Sequence, residues 1–264
     1  MIKFFRNIRK NLLNEGLPSE QAGKISKYFT YAIGEIVLVV IGILIALQIN
    51  NKNELSKQRK QELHYLKNIE TDLKLNIAHL DGYMATRETA INSANEVIAH
   101  YEGKPITDLK AFSRHTVNIY TWRKFFQINN TFQELMNSGN LALISNDSIK
   151  KTLLNMETLY NLMKDTEAHF RYDAEVMLYE PSYNMMDMNQ IVQNYMYYAS
   201  NGAAGENRDL SKAGFDAMLK DTKQKNGFVM AVYEFSVMNQ QFRDMKAMCE
   251  QLIALIDKEL KTDD

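Results

Sequence analysis

Cysteine is almost absent from this chain: Cys249 is the single one among 264 residues. A lone thiol forms no intramolecular disulfide and supplies neither a CxxC pair nor a zinc cluster, so a disulfide scaffold is excluded. Proline is scarce at three residues, and glycine stands at eleven. A chain so rarely interrupted favours long helices over many short strands, and the fold class it predicts is all-α. Net charge is missing too. Lys and Arg total 31 against 32 Asp and Glu, and a balance of -1 leaves no field to steer a polyanion, so no nucleic-acid partner is expected.

Catalytic signatures are equally wanting, with no GxSxG elbow, Walker A loop or GxGxxG turn. The histidines are His64, His79, His100, His115 and His169. No two stand at i and i+4 and there is no HExxH, so a histidine-based zinc site would have to gather ligands from distant helices. Ser148 to Lys151 spells SxxK, but no KTG follows, and Ser148 falls in the first turn after a cluster of N-cap residues. No reaction, cofactor or small-molecule substrate is expected.

What the chain does have is "GEIVLVVIGILIALQINN", Gly34 to Asn51. Every residue from Ile36 to Leu47 is Ile, Val, Leu, Ala or Gly, and Glu35 is the one charge between Tyr31 and Asn51. As a helix such a span rises roughly 30 Å, the thickness of a bilayer's hydrocarbon core. A cleaved signal peptide would lie nearer the start and end in small residues, and a buried core helix is rarely aliphatic on every face. The reading is a basic segment over 1–30, a transmembrane helix over 31–51 and a helical extramembrane domain over 52–264. Within the span Glu35, Gly42 and Ala46 stand at i, i+7 and i+11 and share a face. Gly42 and Ala46 form a small-xxx-small pair suited to helix association. Glu35 either joins that stripe or reaches back to the headgroups, since an ionisable group at the membrane boundary can do both.

The first residues, "MIKFFRNIRKNLL", place Lys3, Phe4, Phe5, Arg6, Arg9 and Lys10 as a membrane-surface set, basic on one side and apolar on the other, suited to anionic lipid. Near-membrane basic residues number six in 1–30 and five in 51–70, so charge alone barely selects an orientation. A short basic start followed by a span and a long remainder is the layout of a signal anchor. The expected topology is a cytoplasmic N-terminus with the large domain outside.

Together with "GKISKYFTYAIGEIVLVVIGILIALQINNKNE" and "TFQELMNSGNLALISNDSIKKTL", these segments closely resemble an uncharacterised family of single-pass membrane proteins from Bacteroidota, a domain of unknown function. In that family the first motif ends "QINNWNE"; here Lys52 replaces the tryptophan, an interfacial anchor. The resemblance, from Met1 to at least Leu154, implies a bacterial inner-membrane location and a helical domain beyond the span, with no known activity or site.

Beyond the span, positions 73, 77, 80, 84, 87, 91, 94, 98 and 101 step by four and three and are apolar except Arg87, a seam for another helix of this chain or of another subunit. "EGKP" at 102–105 should stop this helix, with Gly103 at its cap, and Asp108 should start the next. "NSGN" at 137–140 reads as a turn. "SNDS" at 145–148 should cap a helix that reaches about Tyr179 and ends before Pro181. Residues 200–214 read as a loose, exposed loop. A last helix over about 228–260 carries Val232, Phe235, Met238, Phe242, Met245, Cys249, Leu252 and Ile256 on one stripe. Met185, Met186 and Met188 cluster in "NMMDMN", and soft thioethers suit copper(I). The chain spreads 15 methionines throughout, methionine is a common core filler, and so packing outranks a metal there. The function expected is a membrane-anchored adaptor or structural subunit of an envelope complex, whose partners are the bilayer and a second copy or another envelope protein. A periplasmic sensor working through a partner is the alternative.

Overall fold

A computed structural model describes residues 19–261, with side chains for Tyr28, Phe29 and residues 32–261. The described residues are mostly helical and contain no strand. The elements are α1 (Ser19–Tyr101), α2 (Leu109–Asn118), α3 (Asn130–Asn137), α4 (Asp147–Ala174), a π-helical turn (Glu175–Tyr179), α5 (Glu180–Met185), α6 (Met188–Ala199), α7 (Lys212–Met218) and α8 (Thr222–Lys261). The chain divides between Lys60 and Gln61 into two compact units, and α1 contributes to each.

In the first unit α1 carries the apolar run. Among the described residues this is the one helix long and apolar enough to cross a membrane, which is compatible with a single-pass membrane protein. Residues 32–51 are all exposed, whichever way they face.

In the second unit α1 supplies one wall of the core. The predicted seam meets helices of the same chain: Leu73, Leu80, Ile91 and Ala94 are buried, and Ile77, Met84, Ile98 and Tyr101 pack beside them. The helix stops where glycine allows it. Gly103 takes φ +105°, its N–H reaches the carbonyl of His100 at 3.2 Å and that of Lys104 reaches Ala99 at 3.1 Å, the two bonds that close a left-handed helix end. Asp108 then caps α2 by accepting from the N–H groups of Lys110 and Ala111. Asn146 caps α4 in the same way through Ser148 and Ile149.

Two apolar clusters form the interior. One joins Leu66, Leu73, Phe125, Leu135, Ile149, Phe242 and their neighbours, and the other Ala94, Phe112, Phe170, Leu178, Phe228 and Phe235 with theirs. The α8 stripe is buried from Phe235 to Ile256 as expected, with Val232 partly buried at its start, and it runs through both. Full burial of a side chain of this size contributes about 1.5–3 kcal/mol.

Two expectations need correction. The chain does not leave the helix before Pro181. It widens into the π turn at Glu175–Tyr179, where Glu180 N–H bonds back to Glu175, and Pro181 sits in the first turn of α5, where its missing N–H costs nothing. The wider turn turns the Leu178 carbonyl towards Tyr120 Oη at 3.3 Å and Gln224 Nε2 at 3.4 Å, so side chains from α8 and from the segment after α2 satisfy it. The segment 200–211 is also not loose. Glu206 N–H donates to the Gln193 carbonyl at 3.2 Å and Asn194 Nδ2 to the Arg208 carbonyl at 2.6 Å, pinning it along α6.

Candidate functional site

The membrane-compatible part of α1 places Glu35, Gly42 and Ala46 on one face, within about 40° of each other at 100° per residue. All three are exposed, and a methyl group built on Gly42 meets nothing within 4 Å. A second helix therefore finds room for close backbone approach there. Lys3, Phe4, Phe5, Arg6, Arg9 and Lys10 lie outside the described residues.

The extramembrane unit is organised by polar side chains that α1 turns inward. Asn76 donates from Nδ2 to the Ile128 carbonyl at 2.7 Å and accepts from Ile128 N–H at 2.8 Å, reproducing the pairing a neighbouring strand would give. Asp72 Oδ2 accepts from Thr131 N–H and Oγ1 at 3.2 and 2.9 Å, so a carboxylate from α1 caps α3, whose own Asn129 makes no capping bond. Glu62 Oε1 accepts from Ser145 N–H and Oγ at 2.6 and 2.7 Å. The Asn76 and Asp72 bonds hold residues 122–129, a stretch without helix or strand, against α1. Arg87, the one charged position of the seam, reaches Glu167 on α4.

Met185 and Met186 line a cavity of about 200 Å³ together with Asp187, Gln190, Gly214 and Phe215. Met188 is outside that lining set and packs, with Met186, against the second apolar cluster. The three methionines thus serve a cavity wall and a core margin.

A different group gathers potential ligands. His169 and Asp173 stand one turn apart on α4, and Glu234 faces them from α8. Their ligand atoms all lie within 4.8 Å of one another; His169 Nδ1 is 3.5 Å from Glu234 Oε1 and 4.0 Å from Asp173 Oδ2. Burial pushes the Glu234 carboxyl above the usual range; the His169 imidazole opposes this, while the negative Asp173 adds to it. Reasoning from histidine pairs alone passes over this group. The available signal was "HFRYD", a histidine and an aspartate at i and i+4, although its third member is 61 residues beyond Asp173.

Residues 35–204 match a family of unknown function, DUF6090. The chain belongs to that family. The match opens at Glu35, so it includes the Gly42 and Ala46 stripe, the irregular segment held by Asn76, and the His169–Asp173 pair of this DUF6090 chain, while Glu234 lies beyond it. No curated protein and no solved structure matches the chain.

Proposed function

We propose that this protein is a single-pass, membrane-anchored helical adaptor of the bacterial cell envelope, with its N-terminus in the cytoplasm and residues 52–264 on the periplasmic side of the inner membrane. The observation that carries the reading is the apolar run in α1, whose residues 32–51 are exposed around the whole circumference of the helix among the described residues. In water such a surface is strongly unfavourable, and in a bilayer it is the required one. The extramembrane unit supports action by contact. Its interior is closed by side chains and backbone-binding polar groups, while large aromatics such as Phe126, Tyr172, Tyr183 and Tyr233 stand on its outside. Exposed aromatics of this size are what protein interfaces enrich.

Purification in mild detergent, followed by crosslinking and mass spectrometry, tests the adaptor reading. Crosslinks to a second copy or to an envelope protein are expected; a strictly monomeric, partner-free chain overturns it. A phosphatase reporter fused after Asp264 is expected to be active outside the cytoplasm, and cytoplasmic readout reverses the orientation.

A further inference from the structure

Glu234 is a buried carboxylate with an ion-pair contact to His169 but no hydrogen bond. It is 5% exposed, between the fully enclosed Ala231 and Phe235 turns of α8, and neither of its oxygens receives a hydrogen bond. A buried carboxylate left in this state is unfavourable unless a cation or a proton compensates it. The group it faces has the composition of a metal shell. His169 and Asp173, at i and i+4, project from one face of α4 as a nitrogen and an oxygen donor, and Glu234 adds an oxygen from the opposite helix. The 3.5 Å gap from His169 Nδ1 to Glu234 Oε1 is an ion-pair distance without hydrogen-bond alignment.

We propose that His169, Asp173 and Glu234 form a binding site for a divalent transition-metal ion of the zinc class, which clips α4 to α8. Zinc bonds of about 2.0–2.2 Å in a tetrahedron set ligand atoms roughly 3.3 Å apart. The observed separations, 3.5 and 4.0 Å from His169 Nδ1 and within 4.8 Å across the whole group, are wider. His169 has the freedom to close them, because its side chain is 68% exposed. Its exposure also leaves the remaining coordination position to water. The nitrogen donor separates this site from the all-oxygen shells that magnesium and calcium take, and directs it to the zinc end of the first-row series.

The test uses the full-length chain in detergent, stripped with chelator, and titrated with zinc chloride by calorimetry and with cobalt chloride by visible absorption. One zinc per chain is expected, together with a cobalt d–d band in the visible. His169→Ala changes an exposed residue and leaves the helix pair packed, and Glu234→Gln keeps shape while removing the charge. Each is expected to weaken zinc at least tenfold and to abolish the cobalt band, with helix content by circular dichroism unchanged in His169→Ala. Zinc is expected to raise the melting temperature of the parent and not of either variant. No zinc binding by the parent, which would leave His169 and Glu234 as a plain ion pair, overturns the proposal. So does binding of equal strength in His169→Ala, which assigns the metal to other residues.

Discussion

Arg87 Nη2 lies 2.5 Å from Glu167 Oε1, and the two side chains are 2% and 3% exposed. The guanidinium also rests 4.1 Å over the ring of Phe242 and donates to the Arg123 carbonyl at 3.4 Å, while Glu167 accepts from Phe125 N–H at 3.1 Å. Burial lowers the Arg87 pKa and Glu167 resists that lowering, so the ion is held by one carboxylate in a desolvated setting. In sequence Arg87 falls between Leu80 of one apolar cluster and Ala90 of the other, and Glu167 between Met163 and Phe170 in the same way. The pair marks the joint between the two halves of the core, where it fixes which turn of α1 meets which turn of α4.

Removing one partner leaves the other charged and buried, which costs about 3–5 kcal/mol. Arg87→Met and Glu167→Gln are each expected to lower unfolding stability by that order in urea titrations of the detergent-solubilised chain. Arg87→Met combined with Glu167→Gln is expected to lose much less than the two single losses added together, because the glutamine keeps a neutral acceptor for Phe125 N–H. Additive losses in this double-mutant cycle refute the coupling.

Gly205 takes φ +78°, and a Cβ there falls 2.4 Å from the Gln193 carbonyl oxygen and 2.6 Å from Tyr197 N. Both atoms are backbone and cannot step aside. Gly205→Ala is expected to detach residues 200–211 from α6 and to destabilise by about 1–3 kcal/mol, the range for overpacking. Hydrogen exchange reads it, with amide protection of Glu206 lost while α8 stays protected. Gly82→Ala is the control. Nothing lies within 4 Å of its Cβ, and in a helix interior alanine gains up to about 1 kcal/mol over glycine.

Much of this architecture is legible in local chemistry. Gly103 with Pro105 marks the end of α1, Asp108 and Asn146 mark helix starts, and the stripe from Phe235 to Ile256 marks the buried face of α8, because each is decided within a few residues of chain. The features that escape it are decided by partners far away. Arg87 reads as an interruption of the seam until Glu167, 80 residues on, is seen opposite it. Pro181 reads as a stop until a π turn and two side-chain donors accommodate the backbone around Leu178. The His169, Asp173 and Glu234 group has two members in helical register, but Glu234 announces itself only by being buried without a bond.

Cys249 is fully enclosed in α8, and burial pushes its thiol from an ordinary 9.0 up to about 12. The native chain is expected to resist maleimide at pH 8 and to label once unfolded in urea, since the thiolate is the reactive form. Folding holds the thiol protonated. Its contribution to stability is therefore fully present below pH 9 and falls away as pH rises from 9 towards about 12, where the unfolded thiol ionises and the folded one does not. Rapid labelling of the native chain contradicts this burial.

Glu35 is the remaining decision, and it concerns the membrane helix. It shares a face with Gly42 and Ala46, and that face is open to close approach. If the stripe pairs helices, Gly42→Leu and Ala46→Leu should each block contact by bulk, and Glu35→Leu should remove a polar bond worth about 1–2 kcal/mol between helices in lipid, roughly tenfold in association. Glu35→Gln retains hydrogen-bonding capacity and is expected to preserve most of the pairing. Energy transfer between labelled copies in lipid vesicles measures all four. A loss in Gly42→Leu with no change in Glu35→Leu separates the two roles, because the small residues would then form the contact while the carboxylate reaches the headgroups. The position of Glu35 at the edge of the apolar run allows that reach, so the comparison of leucine with glutamine, rather than the presence of the charge, decides whether it belongs to the interface.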